Sequence, residues 1–248
     1  LVVERENQAV EQSYVFPWML LNYGDRTVRV SLLQKNLGDS PKQRILQSIQ
    51  QLEYAIMDGV YKILLEEKKK IAVLSSHDTS KDILVTNFLQ DLLPYYNLAA
   101  FDLEAFPETP EKTLENLNRF DLLLVSNPKK VFSNTDKFIL DQYTQQGGNS
   151  LYLIDPVHVQ KDSLFALSGT TVSYANTLEL DDLFFKFGFR VRQELVKDLY
   201  SAPIVLAQGE QNDSQYLPYP WPYNPLAAPN QEHSIGSAVG SVHFQFVS

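Results

Sequence analysis

Residues 122–155 read LLLVSNPKKVFSNTDKFILDQYTQQGGNSLYLID, and the order of patterns within this stretch decides the fold. Leu122-Leu123-Leu124-Val125 and Leu151-Tyr152-Leu153-Ile154 are short, continuous apolar runs, the form taken by strands buried in a parallel sheet. Between them, Asn134 to Gln146 carries helical spacing. Ser133 supplies a side-chain acceptor for the free amides of the first turn, and Gly147-Gly148 closes the helix with residues that tolerate positive φ. Two parallel strands need a crossover of a dozen or so residues, and this helix is long enough to be one.

The same alternation extends upstream. Ile71-Ala72-Val73-Leu74 and Leu98-Ala99-Ala100-Phe101 read as strands, and helical patterns run over Lys81 to Leu93 and Pro110 to Asn118, the second opened by Thr109-Pro110. The predicted fold is therefore α/β: an open, mainly parallel sheet of the Rossmann/flavodoxin-like type with helices on both faces. Before it, Ile45, Ile49, Leu52, Ile56, Val60 and Ile63 step by three and four, predicting one long amphipathic helix from Ser40 to Lys70. Ser40-Pro41 starts it, and Lys68-Lys69-Lys70 reads as its solvated end.

The flanks read differently. Tyr14-Val15-Phe16, the Pro17-Trp18 break and Val28 to Leu33 around Gly24-Asp25 predict a β-hairpin. Pro203 to Leu206 and Val242 to Val247 read as strands, and Gln208 to Gly240, rich in Pro, Gly, Asn, Gln and Ser, reads as a long irregular loop. Strands from the two termini are expected to form a small added β layer. This divides the chain into an amino-terminal hairpin region at 1–37, the α/β core at 38–195 and a carboxyl-terminal β/loop region at 196–248 that packs with the amino-terminal strands.

Composition removes whole classes of function. The 248 residues carry a formal charge of −9, with 30 acidic and 21 basic side chains, so a polyanion is repelled and no nucleic-acid partner is expected. The absence of cysteine removes thiol nucleophiles, thiolate metal sites and disulfides together. His77, His158, His233 and His243 never fall at helical metal-pair spacing, so no metal is expected. Leu124-Val125-Ser126-Asn127-Pro128 lacks the glycines of a nucleophile elbow, and neither a phosphate loop nor a dinucleotide fingerprint occurs, so no cofactor and no catalytic residue is assigned. Neither an apolar run long enough to span a bilayer nor a signal-peptide pattern is seen, so membrane association is expected only through segments outside this chain.

Several segments then carry a resemblance in their order and spacing. They are Val15-Phe16-Pro17-Trp18; Ile49-Gln50-Gln51-Leu52-Glu53-Tyr54; Phe132 to Lys137 with Asp141-Gln142-Tyr143; Leu153-Ile154-Asp155-Pro156; Leu183 to Gly188; and Pro220-Trp221-Pro222-Tyr223. From Tyr14 to Leu226 the chain resembles the periplasmic region of GldG-like proteins, auxiliary, substrate-binding-like components of ABC transporters associated with gliding motility. The resemblance implies a domain shared with an intraflagellar-transport protein, similar in fold to class I glutamine amidotransferases but lacking their catalytic cysteine. It also implies membrane subunits of an ABC transporter as partners, and a place on the periplasmic side of the cytoplasmic membrane as the soluble part of a membrane-anchored protein. Where that family tends to show Gly-His-Gly-Glu after the first core strand, this chain has Ser76-His77-Asp78-Thr79, so only His77 carries over.

In an open parallel sheet, ligands favour the crevice beyond the carboxyl ends of the strands. That rule selects His77 and Asp78 after the first core strand, with Ser76 beside them, Asp102 with Glu104 after the second, Asn127 with Ser126 after the third, and Asp155 with His158 after the fourth. If they converge, a histidine and carboxylates make a general base or a hard-cation site. The competing and stronger reading is that such residues satisfy backbone amides at strand ends and helix starts. Tyr219, Trp221 and Tyr223, with Tyr216, form an aromatic set in a proline-rich loop, suited either to binding partners or sugars or to covering a sheet edge. The function expected is a non-catalytic extracytoplasmic interaction domain of a transporter complex linked to gliding motility or export. A solute-binding component for a sugar or peptide is the alternative, and a divergent hydrolase or amidotransferase-like enzyme ranks last.

Overall fold

The computed structural model describes residues 2–6, 9–13, 17–33, 40–79, 83–159, 163, 170–208, 215–230, 232–233, 236 and 239–248. Tyr14-Val15-Phe16 and the first part of the predicted loop, 209–214, lie outside these residues. The chain divides into two compact units, one of residues 1–69 with 89–97, the other of residues 70–88 with 98–248.

The larger unit is built on the predicted sheet. β5 (Lys70–Leu74), β6 (Asn97–Phe101), β7 (Leu122–Ser126) and β8 (Asn149–Leu153) form a four-stranded parallel sheet in the order β6-β5-β7-β8. Registers such as Ile71 with Leu122 and Leu124 with Leu151 fix its central strands. α3 (Ile83–Leu92), α4 (Pro110–Leu117) and α5 (Asn134–Gln145) supply the three crossovers. In this order the chain reverses direction across the sheet between β5 and β7, so the loops leaving those two strands diverge and open a crevice.

Burial follows sheet position. Leu123, Leu124 and Val125 of β7 are almost fully buried on both faces, as a central parallel strand requires. β8 is an edge strand: Tyr152 turns inward while Leu151 and Leu153 face out, so its apolar run is buried on one face only. One core face gathers Leu74, Leu123, Val125, Leu140, Tyr143 and Phe184. α5 is tied at both ends. Ser133 and Asp136 form a reciprocal capping box, and the carboxyl end closes with Gly147 N–H on Thr144 O and Gly148 N–H on Tyr143 O, with Gly147 at φ 91°.

Past the sheet come β9 (Val157–Val159) paired with β10 (Ser173–Ala175), then α6 (Asp181–Lys186). β11 (Ile204–Gln208) pairs antiparallel with β12 (Gln215–Tyr219), and β13 (Leu226–Ala227) with β14 (Val242–His243). β12 falls inside the stretch predicted to be irregular. Pairing explains it: Leu206 opposite Leu217 and Ile204 opposite Tyr219 give a polar, proline-containing segment a ladder that propensity alone does not predict. The strand expected over 242–247 shortens to β14.

The smaller unit holds β1 (Val2–Glu6) paired with β2 (Ala9–Ser13), and the predicted hairpin, β3 (Trp18–Tyr23) with β4 (Arg26–Ser31), turning at Gly24 with φ 57°. Among the described residues, each terminus thus forms its own antiparallel ladders. The long predicted helix is two: α1 (Pro41–Gln50), started by a Ser40–Gln43 capping box, and α2 (Leu52–Leu64), with the break at Gln51. α2, which falls in the region 38–195 assigned from sequence to the α/β core, packs on the hairpin, since its Gly59 sits against Val30 and Leu21. Arg26 donates to the carbonyls of Ile63 and Leu65, capping the end of α2. The helix stops before the lysine run. Lys68 donates to Leu93 O, and Lys70 opens β5 with its N–H on Asp121.

Candidate functional site

The loop after β5 turns sharply because His77 and Asp78 both take left-handed backbone conformations, φ 61° and 57°. Asn127, after β7, does the same at φ 43°. Consecutive non-glycine residues in this region are costly and persist only where surroundings hold them. Here the His77 carbonyl accepts the N–H groups of Lys129 and Lys130, joining the β5 loop to the β7 loop. Thr79 Oγ1 donates to Leu74 O and Ser76 O, closing the turn from inside.

His77 is 2% exposed. Its ring stacks on Phe132 with centroids 4.0 Å apart, Nδ1 lies 3.0 Å from Ser76 Oγ, and Nε2 lies 3.4 Å from Asp136 Oδ2. That last distance is an ion-pair separation when the imidazole is doubly protonated, longer than a well-formed charged hydrogen bond. Burial pushes the Asp136 carboxyl up, but the contact with His77 and the hydrogen bonds from Ser133 N–H and Oγ together outweigh it and hold the group below its ordinary value. In the sequence, Asp136 carries a signal only as part of the segment Phe132 to Lys137. Its Ser-x-x-Asp capping position marks a helix start, but its meeting with His77 depends on the β5-β7 adjacency.

The remaining candidates separate into three places. Asp78 is exposed and pairs with Lys130 at 3.6 Å. Asp102 accepts from Glu104 N–H at 2.9 Å, an Asx turn of the kind that satisfies local backbone. Asn127 and Asp155 do converge, lining a crevice of about 310 Å³ with Lys129, His158, Tyr174 and Asn176. His158 and Tyr174 have ring centroids 4.8 Å apart, and Asn176 Nδ2 ties the crevice wall to the carbonyls of Pro128 and Asp155. Tyr174 and Asn176 lack any sequence signal for this role, because they arrive on β10 and the residue after it.

The aromatic set folds back on itself. Trp221 and Tyr223 are half-buried and cluster with Phe246, with centroids 5.9–6.2 Å apart, and Lys197 lies 4.9 Å over the Tyr223 ring. Phe246 also lines the crevice, so Trp221 and Tyr223 reach it through that ring. Tyr219 sits in the β11–β12 ladder, and Tyr216 is exposed. Ser126 is buried. Among the described residues, no helix is long and apolar enough to cross a membrane.

Two apolar surfaces bear on recognition. The predicted amphipathic stripe is buried only in part: Ile63 is buried, but Ile45, Ile49 and Leu52 are exposed, with Tyr54, Met57 and Tyr61 beside them on α2. On the other unit, the exposed edge of β8 presents Leu151 and Leu153. No curated protein matches the chain. A family profile described as "ABC-type uncharacterized transport system" matches residues 68–248, most of the chain and all of the parallel sheet. With that span matched, this chain belongs to the family of ABC-type uncharacterized transport system auxiliary proteins.

Proposed function

We propose that the chain is a non-catalytic interaction domain of an ABC transporter complex, placed outside the cytoplasm and serving gliding motility or export, as its GldG-like segments imply. The match of residues 68–248 to a transport-system family carries this reading. The exposed stripe of Ile45, Ile49 and Leu52 supports it, since a contiguous apolar patch on a folded domain marks a surface that other proteins cover. The membrane subunits of the transporter are the partners it fits.

The test is co-purification of the full-length protein with those subunits from native membranes. Association is expected, and Ile45→Glu with Ile49→Glu should reduce it at least about tenfold without changing thermal stability, because a charge in an interface core costs far more than one in water. Absence of any association in native membranes overturns the reading. Solute binding is the second reading, favoured by the crevice lined by Asn127, Asp155, His158 and Tyr174. A sugar or peptide that raises the melting temperature of wild type but not of Asp155→Ala supports it.

A further inference from the structure

Three side chains distant in sequence meet beyond the ends of β5 and β6: His77, Glu104 and Asp136, with ligand-capable atoms all within 4.8 Å of one another. The side chains of His77 and Asp136 are 1% and 5% exposed, while Glu104 reaches the pair from the solvent side. The imidazole is fixed by the Phe132 stack, by Ser76 Oγ at Nδ1 and by the two amides on its carbonyl. Ser76 Oγ also accepts from Leu103 N–H. In the tautomer that donates Nδ1–H to Ser76 Oγ, Nε2 presents a lone pair, and this buried nitrogen makes no hydrogen bond.

In that tautomer the lone pair faces Asp136 Oδ2 across 3.4 Å, and a cation between the two, a proton or a metal ion, attracts both. The spacing also has a chemical meaning. Two ligand atoms each about 2.1 Å from a tetrahedral ion stand roughly 3.4 Å apart. Both groups are also held from behind: the other imidazole nitrogen is engaged by the Ser76 hydroxyl, and the carboxylate is held by Ser133.

We propose that His77 Nε2 and the carboxylates of Glu104 and Asp136 bind a divalent transition-metal ion of the zinc type. One imidazole among three ligands selects against calcium and magnesium, which take oxygen donors. The ion would tie the β5 loop, the β6 loop and the start of α5 together. Histidine-pair spacing does not reveal this ligand set, which has one histidine and draws its carboxylates from two other parts of the chain.

The purified chain, stripped with a chelator, is titrated with Zn²⁺ near neutral pH by calorimetry and with Co²⁺ by visible absorption. Wild type is expected to bind one equivalent. Glu104→Gln, whose exposed side chain bears no packing, is expected to weaken binding at least about tenfold with an unchanged circular dichroism spectrum, and His77→Gln to abolish it. If His77→Gln fails to fold, the Glu104 variant decides alone. Wild type that takes up no stoichiometric metal overturns the proposal, and so does a Glu104→Gln variant that binds as wild type, which would leave a proton shared by His77 and Asp136 as the occupant.

Discussion

His77 and Gly59 show how single residues here are governed by what approaches them. His77 holds a left-handed backbone and a buried ring because Phe132, Ser76 and the Lys129 and Lys130 amides surround it, none of them its neighbour on a strand or helix. Gly59 lies inside α2, where alanine would ordinarily add about 1 kcal/mol of helix propensity. A Cβ there meets Val30 Cγ2, with Leu21 Cδ1 at 2.9 Å, and Val30 is a branched, buried side chain with little room to yield. Overpacking of this kind costs about 1–3 kcal/mol, so Gly59→Ala should lower stability by up to about 2 kcal/mol net, read from denaturant melts. A raised midpoint would mean that α2 does not press on the hairpin as described.

At the scale of elements, caps that look alike in sequence differ in what they do. Ser133 and Thr109 both precede a predicted helix, but Ser133 accepts from Asp136 N–H in a full capping box while Thr109 makes no side-chain cap bond. Ser133→Ala should therefore cost about 1–2 kcal/mol, and Thr109→Ala no more than about 0.5, in parallel chemical denaturation. Equal losses would contradict the capping geometry. The same contrast divides α1 from α2. A stripe of uniform period is buried where the hairpin covers it, at Ile63, and open to solvent at Ile45 and Ile49. Hydrophobic period shows that a face wants covering, but only the neighbours present determine whether it is covered.

For the molecule as a whole, one edge strand contributes to the response to alkali. Burial pushes the Tyr152 hydroxyl up to about 12, and that hydroxyl makes no hydrogen bond. The folded protein keeps the proton that the unfolded chain loses near pH ~10, so this contribution to stability is complete below pH ~10 and is lost as pH rises from there through about 12. Absorbance titration should show tyrosines ionising above the ordinary range, one fewer of them in Tyr152→Phe, which should match wild type or exceed it in stability at neutral pH. Ionisation of every tyrosine near pH ~10 would contradict the burial of this ring. The sequence by itself determined the strand-helix alternation of 70–153, the Ser133 cap and the link to an ABC-type transport system, because apolar period, turn chemistry and segment order are local properties of the chain. It also placed Asn127 and Asp155 at strand ends, but not the crevice they share. Only the tertiary structure decided that His77 meets Asp136 and Glu104, that the aromatic set of Trp221 and Tyr223 closes on Phe246, and that half of the long apolar stripe stays open. Those outcomes depend on strand order and on which surfaces come together, and contacts between distant segments leave no periodic trace in the residues that make them.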